Sequence, residues 1–253
     1  MPPQSGGMEI NMKKISKSSE LLWVFGIVFV ALGVAICNKA SLGVSMIAAP
    51  TFVVHEAISS LWSGLTIGVV EYVLQGVVLI ILCITVRRFN WRYLLAFAVA
   101  IIYGYTLDLA IWLLDPLSLD YVWLRWVMLL IGDAVTAFGV ACFFRTYMPL
   151  QVHELFVSEL TKRYRLNLPR VKWIFDLTLL FCSIAMTLLF FGDATEFDWA
   201  TIGYSDFHSI GLGTLVTTAI NSPFIAFMGK LIDKMFDPSP KFPKLNQMLK
   251  TPS

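Results

Sequence analysis

Six stretches of the chain are almost unbroken apolar sequence, approximately Leu21–Cys37, Leu65–Val86, Leu94–Leu114, Trp123–Phe144, Trp173–Phe191 and Ile210–Ile232. Each approaches the ~20 residues that a helix needs to cross a hydrocarbon core. Their apolar positions are continuous rather than alternating, which predicts helices and argues against the two-faced strands of a membrane barrel. Two further segments follow other patterns. Leu42–Ile58 is nearly all apolar, but Gly43 and Pro50 interrupt it and it ends in His55-Glu56. Within Tyr147–Arg165, the residues Val152, Leu155, Phe156, Leu160 and Tyr164 recur at helical spacing, with Gln151, Glu154, Ser158, Thr161 and Arg165 opposite. That spacing predicts a short amphipathic helix lying in the interface.

Composition agrees, and charge sets the topology. Of 253 residues, 57% are apolar and 14% charged, against roughly 45–50% and about 25% in soluble domains. Lipid is therefore part of the solvent, and neither a disordered chain nor a disulfide scaffold fits. The four cysteines lie in or at the ends of spans without paired spacing, so no metal or redox centre is expected of them. With six spans and a cytoplasmic N-terminus, 17 of the 19 Lys and Arg residues fall inside, leaving Lys39 and Arg125 outside. If Leu42–Ile58 also crossed, 15 would lie outside, against the positive-inside bias. The expectation is a multi-pass membrane protein with both termini cytoplasmic. Residues 1–20 and 235–253 are read as polar tails, and 42–58 as a re-entrant or groove-packed segment near the outer face. Trp and Tyr near span ends, Trp23 and Tyr204 among them, suit an interfacial belt.

An internal repeat refines this picture. Ala31-Leu32-Gly33-Val34-Ala35 matches Ala137-Phe138-Gly139-Val140-Ala141 at an offset of 106, which also sets Lys39 on Arg145; at 105, Glu71 falls on Asp176. A unit of three spans is odd, so a second copy enters the membrane from the other side. The expected fold class is an all-α integral membrane protein of six transmembrane helices. They form two inverted three-helix repeats, Glu20–Asp115 and Asp120–Lys234, each with an extra non-spanning helix after its first span.

Four carboxylates fall within the spans: Glu71, Asp108, Asp133 and Asp176. A charge at the bilayer centre costs at least ~3 kcal/mol, so such groups usually face the bundle interior and carry function. Glu71, Asp108 and Asp133 share the outer half without a basic neighbour at helical spacing. They are expected to meet one another, protonated or neutralised by a bound cation. Asp176 lies near the inner end, within reach of Arg170 and Lys172. Asn221, in Asn221-Ser222-Pro223, is expected to break the last span and supply ligands. Lys39 and Arg145, read as the N-terminal corners of the two non-spanning elements, are candidates for binding an anionic group. Gly64-x-x-x-Gly68 and Ala96-x-x-x-Ala100-x-x-x-Gly104 provide small faces for close helix packing.

The order of these features resembles the YczE/YyaS/YitT-like bacterial inner-membrane proteins. The likeness rests on a first span ending in Gly-Val-Ala, the turn Lys39-Ala40-Ser41-Leu42-Gly43, a non-spanning apolar segment, and a second span with Gly64 and Gly68. Leu107-Asp108-Leu109 and Val171-Lys172-Trp173-Ile174-Phe175-Asp176 add to it. The resemblance covers about residues 20–235. It implies an integral protein of the bacterial cytoplasmic (inner) membrane, built of two three-helix halves, transporter-like, with no established substrate. Function is read first as a secondary transporter of a small polar solute, proton- or cation-coupled, because the chain has no Walker A loop. The alternative is a non-transporting accessory protein that docks a partner through Val152, Leu155 and Phe156. An intramembrane aspartyl protease using Asp108 and Asp133 fits poorly, since Leu130 and Leu107 stand where its motifs need Gly and Tyr. No enzyme, cofactor, resident metal or nucleic acid is expected. The partners expected are the bilayer and a small molecule or ion, with a homo-oligomer left open.

Overall fold

The computed structural model describes residues 19–59, 61, 62, 64–191 and 210–235; residues 1–18, most of the expected C-terminal tail and Tyr204 lie outside them. Among the described residues the chain forms eight helices and no strand. They are α1 (Ser19–Ala40), α2 (Ala49–Ser59), α3 (Ile67–Val86), α4 (Arg92–Leu114), α5 (Val122–Phe143), α6 (Val152–Tyr164), α7 (Leu168–Phe191) and α8 (Leu212–Met235). The six expected spans are α1, α3, α4, α5, α7 and α8, each long and apolar enough to cross a membrane. Val73, Ile80 and Ile84 of α3, Leu109 and Leu113 of α4, and Phe181 and Leu189 of α7 are all exposed. A belt of that kind is stable against acyl chains and not against water. The chain is a multi-pass membrane protein in contact with the bilayer.

The repeated Ala-x-Gly-Val-Ala motif explains the centre of the bundle. A Cβ on Gly33 of α1 would lie 2.6 Å from the Gly132 carbonyl oxygen, and one on Gly139 of α5 would lie 2.7 Å from the Val30 amide nitrogen. The two helices therefore cross backbone to backbone, which only small residues permit. A second close crossing joins α3 to α4, where a Cβ on Gly104 would stand 2.6 Å from the Gly68 carbonyl oxygen. Gly64 takes no part in it; its nearest neighbour is Trp62, at 3.5 Å.

The two halves repeat the order long, short, long, long. Packing follows the same order in part: α1 lies on α4 as α5 lies on α8, and α2 lies on α7 as α6 lies on α3, whereas α3 packs closely on α4 and α7 only lightly on α8. Each half also closes with an ion pair between its first and last helices. Lys39 Nζ lies 3.8 Å from Asp115 Oδ1 and donates to the Asp115 carbonyl at 2.7 Å. Arg145 donates twice to Asp233, Nε to Oδ1 at 2.6 Å and a terminal nitrogen to Oδ2 at 2.8 Å.

Segment 42–48 does not cross. Gly43 turns the chain at φ +104°, where a side chain would be strained and would meet the Gly211 backbone. The first turn of α8 clasps this segment, with the Gly213 amide donating to the Leu42 carbonyl at 2.9 Å and Thr214 Oγ1 to the Val44 carbonyl at 2.7 Å. Pro50 stands in the first turn of α2, where its missing N–H costs nothing. One expectation is corrected here: α8 runs unbroken through Asn221-Ser222-Pro223, because one proline removes a single ladder bond, which a packed membrane helix tolerates.

Candidate functional site

The short helices α2 and α6 position the site. His55 Nε2 lies 3.0 Å from the Leu65 carbonyl just before α3, and Thr51, one turn nearer the start of α2, donates to Glu71 on α3. The Val152 amide, at the start of α6, donates to Gln75 Oε1 at 3.3 Å, while Tyr164 at its end reaches the Thr85 carbonyl at 3.4 Å. So α2 runs against α3 along its first half and α6 runs with α3 along its second. The two meet head to head opposite Glu71 and Gln75.

Burial follows. Ala49–Val53 of α2 and Val152–Glu154 of α6 are buried, and the far ends of both helices emerge. This corrects the reading of 152–164 as an interfacial helix with its polar face outward. Glu154 is 2% exposed, and His153, on neither of the expected faces, 5%. Leu155, Phe156 and Leu160 pack on Leu79, Leu82 and Val86. The helix buries polar groups because its neighbours are themselves polar there: Gln75 meets its first amide, and Lys172 of α7 lies beside Glu154.

Between the two helix starts lies a cavity of about 10 Å³, the least space that holds one water molecule. Ser45 and Ala48, Glu71, Tyr103, Thr136, and Gln151, His153 and Glu154 line it. Glu71 accepts from Thr51 and, at 2.8 Å, from Gln75 Nε2. By contrast Ser45 Oγ, Gln151 Oε1, His153 Nδ1 and Glu154 Oε2 have no hydrogen-bond partner, although all four residues are buried. Buried polar groups are rarely left so, and four around one small cavity need an explanation. Burial raises the Glu154 carboxyl to about 7, Lys172 opposing and Asp176 and Glu71 adding to the rise. Burial and the nearby Lys172 charge lower the His153 imidazole to about 3, so it is neutral. A larger cavity of about 400 Å³, lined by Arg92, Tyr93, Tyr147, Leu150 and Glu159 among others, lies at the end of the bundle where α5 leads into α6. Leu150 lines it, and Gln151, next in the chain, lines the small one.

The residues expected from sequence are dispersed. Glu71 is at the cavity. Asp176 Oδ1 pairs with Lys172 Nζ at 2.5 Å, beside Glu154. Asp133, fully buried one turn from Thr136, accepts from Asn221 Nδ2 at 3.0 Å. Asp108 accepts from the Gly68 amide and from Thr66 Oγ1, both at 2.7 Å, and so secures the start of α3. Glu71, Asp108 and Asp133 thus do not meet; each has its own polar partner. Lys39 and Arg145 lie at the C-terminal ends of α1 and α5, paired with Asp115 and Asp233, not at the starts of α2 and α6. Sequence reasoning missed Glu154 and Gln151 as site residues. The signal was the His153-Glu154 pair placed directly after a proline-containing turn and before an apolar run. Among the described residues no three His, Cys, Asp or Glu side chains come together as a metal-binding set.

Comparison with known proteins places the family. The family of unknown function DUF6198 matches residues 17–230. No curated protein and no solved structure matches the chain at a significant level.

Proposed function

We propose that this chain, which belongs to the DUF6198 family, is a secondary carrier for a small polar solute, driven by an ion gradient. The observation that carries the reading is the pair of half-length helices meeting head to head on a small buried cavity, where Glu71, Gln151 and Glu154 stand among apolar side chains. Irregular backbone and broken helices at membrane depth are tolerated where they line a site, and carriers build their midplane sites in this way. The repeated element order and the matched pairs Lys39–Asp115 and Arg145–Asp233 support two inverted halves related through that cavity. The distribution of Lys and Arg supports cytoplasmic termini, and the likeness to YczE/YyaS/YitT-like bacterial inner-membrane proteins agrees with that membrane and with a transporter-like role. Less supports the accessory-protein alternative, since Val152 of its expected docking face is fully buried and Leu155 and Phe156 are partly buried in an apolar cluster.

The test is uptake by proteoliposomes carrying the full chain. A panel of amino acids, organic acids and amines is offered under a proton or sodium gradient. At least one solute is expected to enter faster than into empty vesicles, with uptake at least tenfold slower in Glu71→Gln. Equal uptake by the parent and Glu71→Gln refutes the reading.

A further inference from the structure

We propose that the cavity between α2 and α6 is a binding site for one small monovalent cation, held by Ser45 Oγ, Gln151 Oε1 and Glu154 Oε2. Three observations lead there.

The donor set comes first. A hydroxyl, an amide carbonyl and a carboxylate oxygen without a hydrogen-bond partner belong to three residues, each at least nine-tenths buried, that line one cavity. Oxygen donors of this kind suit hard cations. His153 adds a fourth unpartnered atom on the same wall, Nδ1 of an uncharged ring.

Size comes second. About 10 Å³ admits a species no larger than one water. Magnesium usually keeps several waters and calcium takes six to eight oxygens, and this cavity has room for neither.

Charge comes third. Glu71 and Glu154 line the cavity and the Lys172–Asp176 pair lies beside Glu154, so three carboxylates gather there against the single ammonium of Lys172. The two helix starts contribute about +0.5 each. Counted with every carboxylate deprotonated, the form that a bound cation favours, roughly one negative charge is left over, which one monovalent cation cancels. No bound anion could do so, although two helix starts point inward. Amides at both starts are already answered by protein groups: in α6, Val152 N by Gln75 and Glu154 N by its own carboxylate, and in α2, Ala49 N by the Ser45 carbonyl and Thr51 N by the Ala48 carbonyl.

This deepens the carrier reading and rests on it for the cation's role as coupling ion, but binding is measurable without flux. The full chain, purified in micelles near neutral pH, is unfolded thermally at constant ionic strength in lithium, sodium, potassium or N-methylglucamine chloride. One of the small cations is expected to raise Tm by several degrees in a saturable manner, through mass action on the native state. Radiolabelled sodium, or rubidium in place of potassium, should bind at about one per chain. Glu154→Gln is expected to abolish the shift, and Ser45→Ala, which removes only a hydroxyl, to weaken it at least tenfold in concentration. If Glu154→Gln does not fold, Ser45→Ala and Gln151→Ala decide the matter. Equal Tm in all four salts overturns the proposal, as does a shift that is the same in parent and variants. Saturable binding without uptake of any solute would leave the cation site standing and remove the carrier; uptake without cation binding would do the reverse.

Discussion

The sharpest energetic consequence concerns Lys172 and Asp176, whose side chains are 4% and 0% exposed and 2.5 Å apart. Replacing Lys172 with Met keeps the volume of the stem and removes only the ammonium. Asp176 Oδ2 already lacks a partner, so the variant leaves an entire carboxylate uncompensated where water does not reach, beside Glu154. Breaking a buried pair from one side costs roughly 3–5 kcal/mol, whereas removing both charges is often neutral or stabilising. The cycle of parent, Lys172→Met, Asp176→Leu and the double variant should therefore show a coupling of at least ~2 kcal/mol. For a chain of this size the Lys172→Met variant should melt roughly 6–20 °C below the parent. The double variant should recover most of that. The assay is thermal unfolding of all four proteins in the same micelles near neutral pH. A Lys172→Met variant within about 1 kcal/mol of the parent, or a double variant no better than the single, would refute the argument.

Two other expectations use the same assay. Gly33→Ala should destabilise by about 1–3 kcal/mol, because its Cβ meets the Gly132 carbonyl and Thr136 backbone, which cannot yield. Gly64→Ala should stay within about 0.5 kcal/mol; equal losses at the two positions would undo the account of the α1–α5 crossing. Arg145→Ala and Lys39→Ala break partly exposed pairs, with Asp233 and Asp115 about 55% and 84% exposed, so each should cost no more than ~1 kcal/mol. A selective loss of solute affinity with stability intact would instead restore both cations as anion-binding groups.

The spans and the two non-spanning segments were legible because apolar length and charge asymmetry are local properties of the chain. The crossing of α1 and α5 was legible in the matched Gly33 and Gly139 for a physical reason: both stand where backbones touch, and no larger residue fits. The partners of Lys39 and Arg145 were not legible, since Asp115 and Asp233 lie far along the chain and come near only when each half closes. Glu154 was misplaced because amphipathicity was read against water. The apolar face of α6 packs on α3, and its polar N-terminal turn faces a polar interior that Gln75 and Lys172 create from other helices. Asp108 was expected to join the other acids, yet a carboxylate on α4 packed against the start of α3 finds free amides there before it finds another acid.

Because α2 runs against α3 and α6 along it, the peptide dipoles of the two oppose each other across the membrane normal. A transmembrane voltage therefore does almost no net work on them when they shift as a pair. The ~2.3 kcal/mol that 100 mV exerts on each elementary charge carried across must act through discrete charges alone: those of the acidic and ammonium side chains, and that of any ion lodged among them. The two short helices are electrically silent as a pair, and any electrogenicity measured for this protein would count the side-chain charges and ions that move with them.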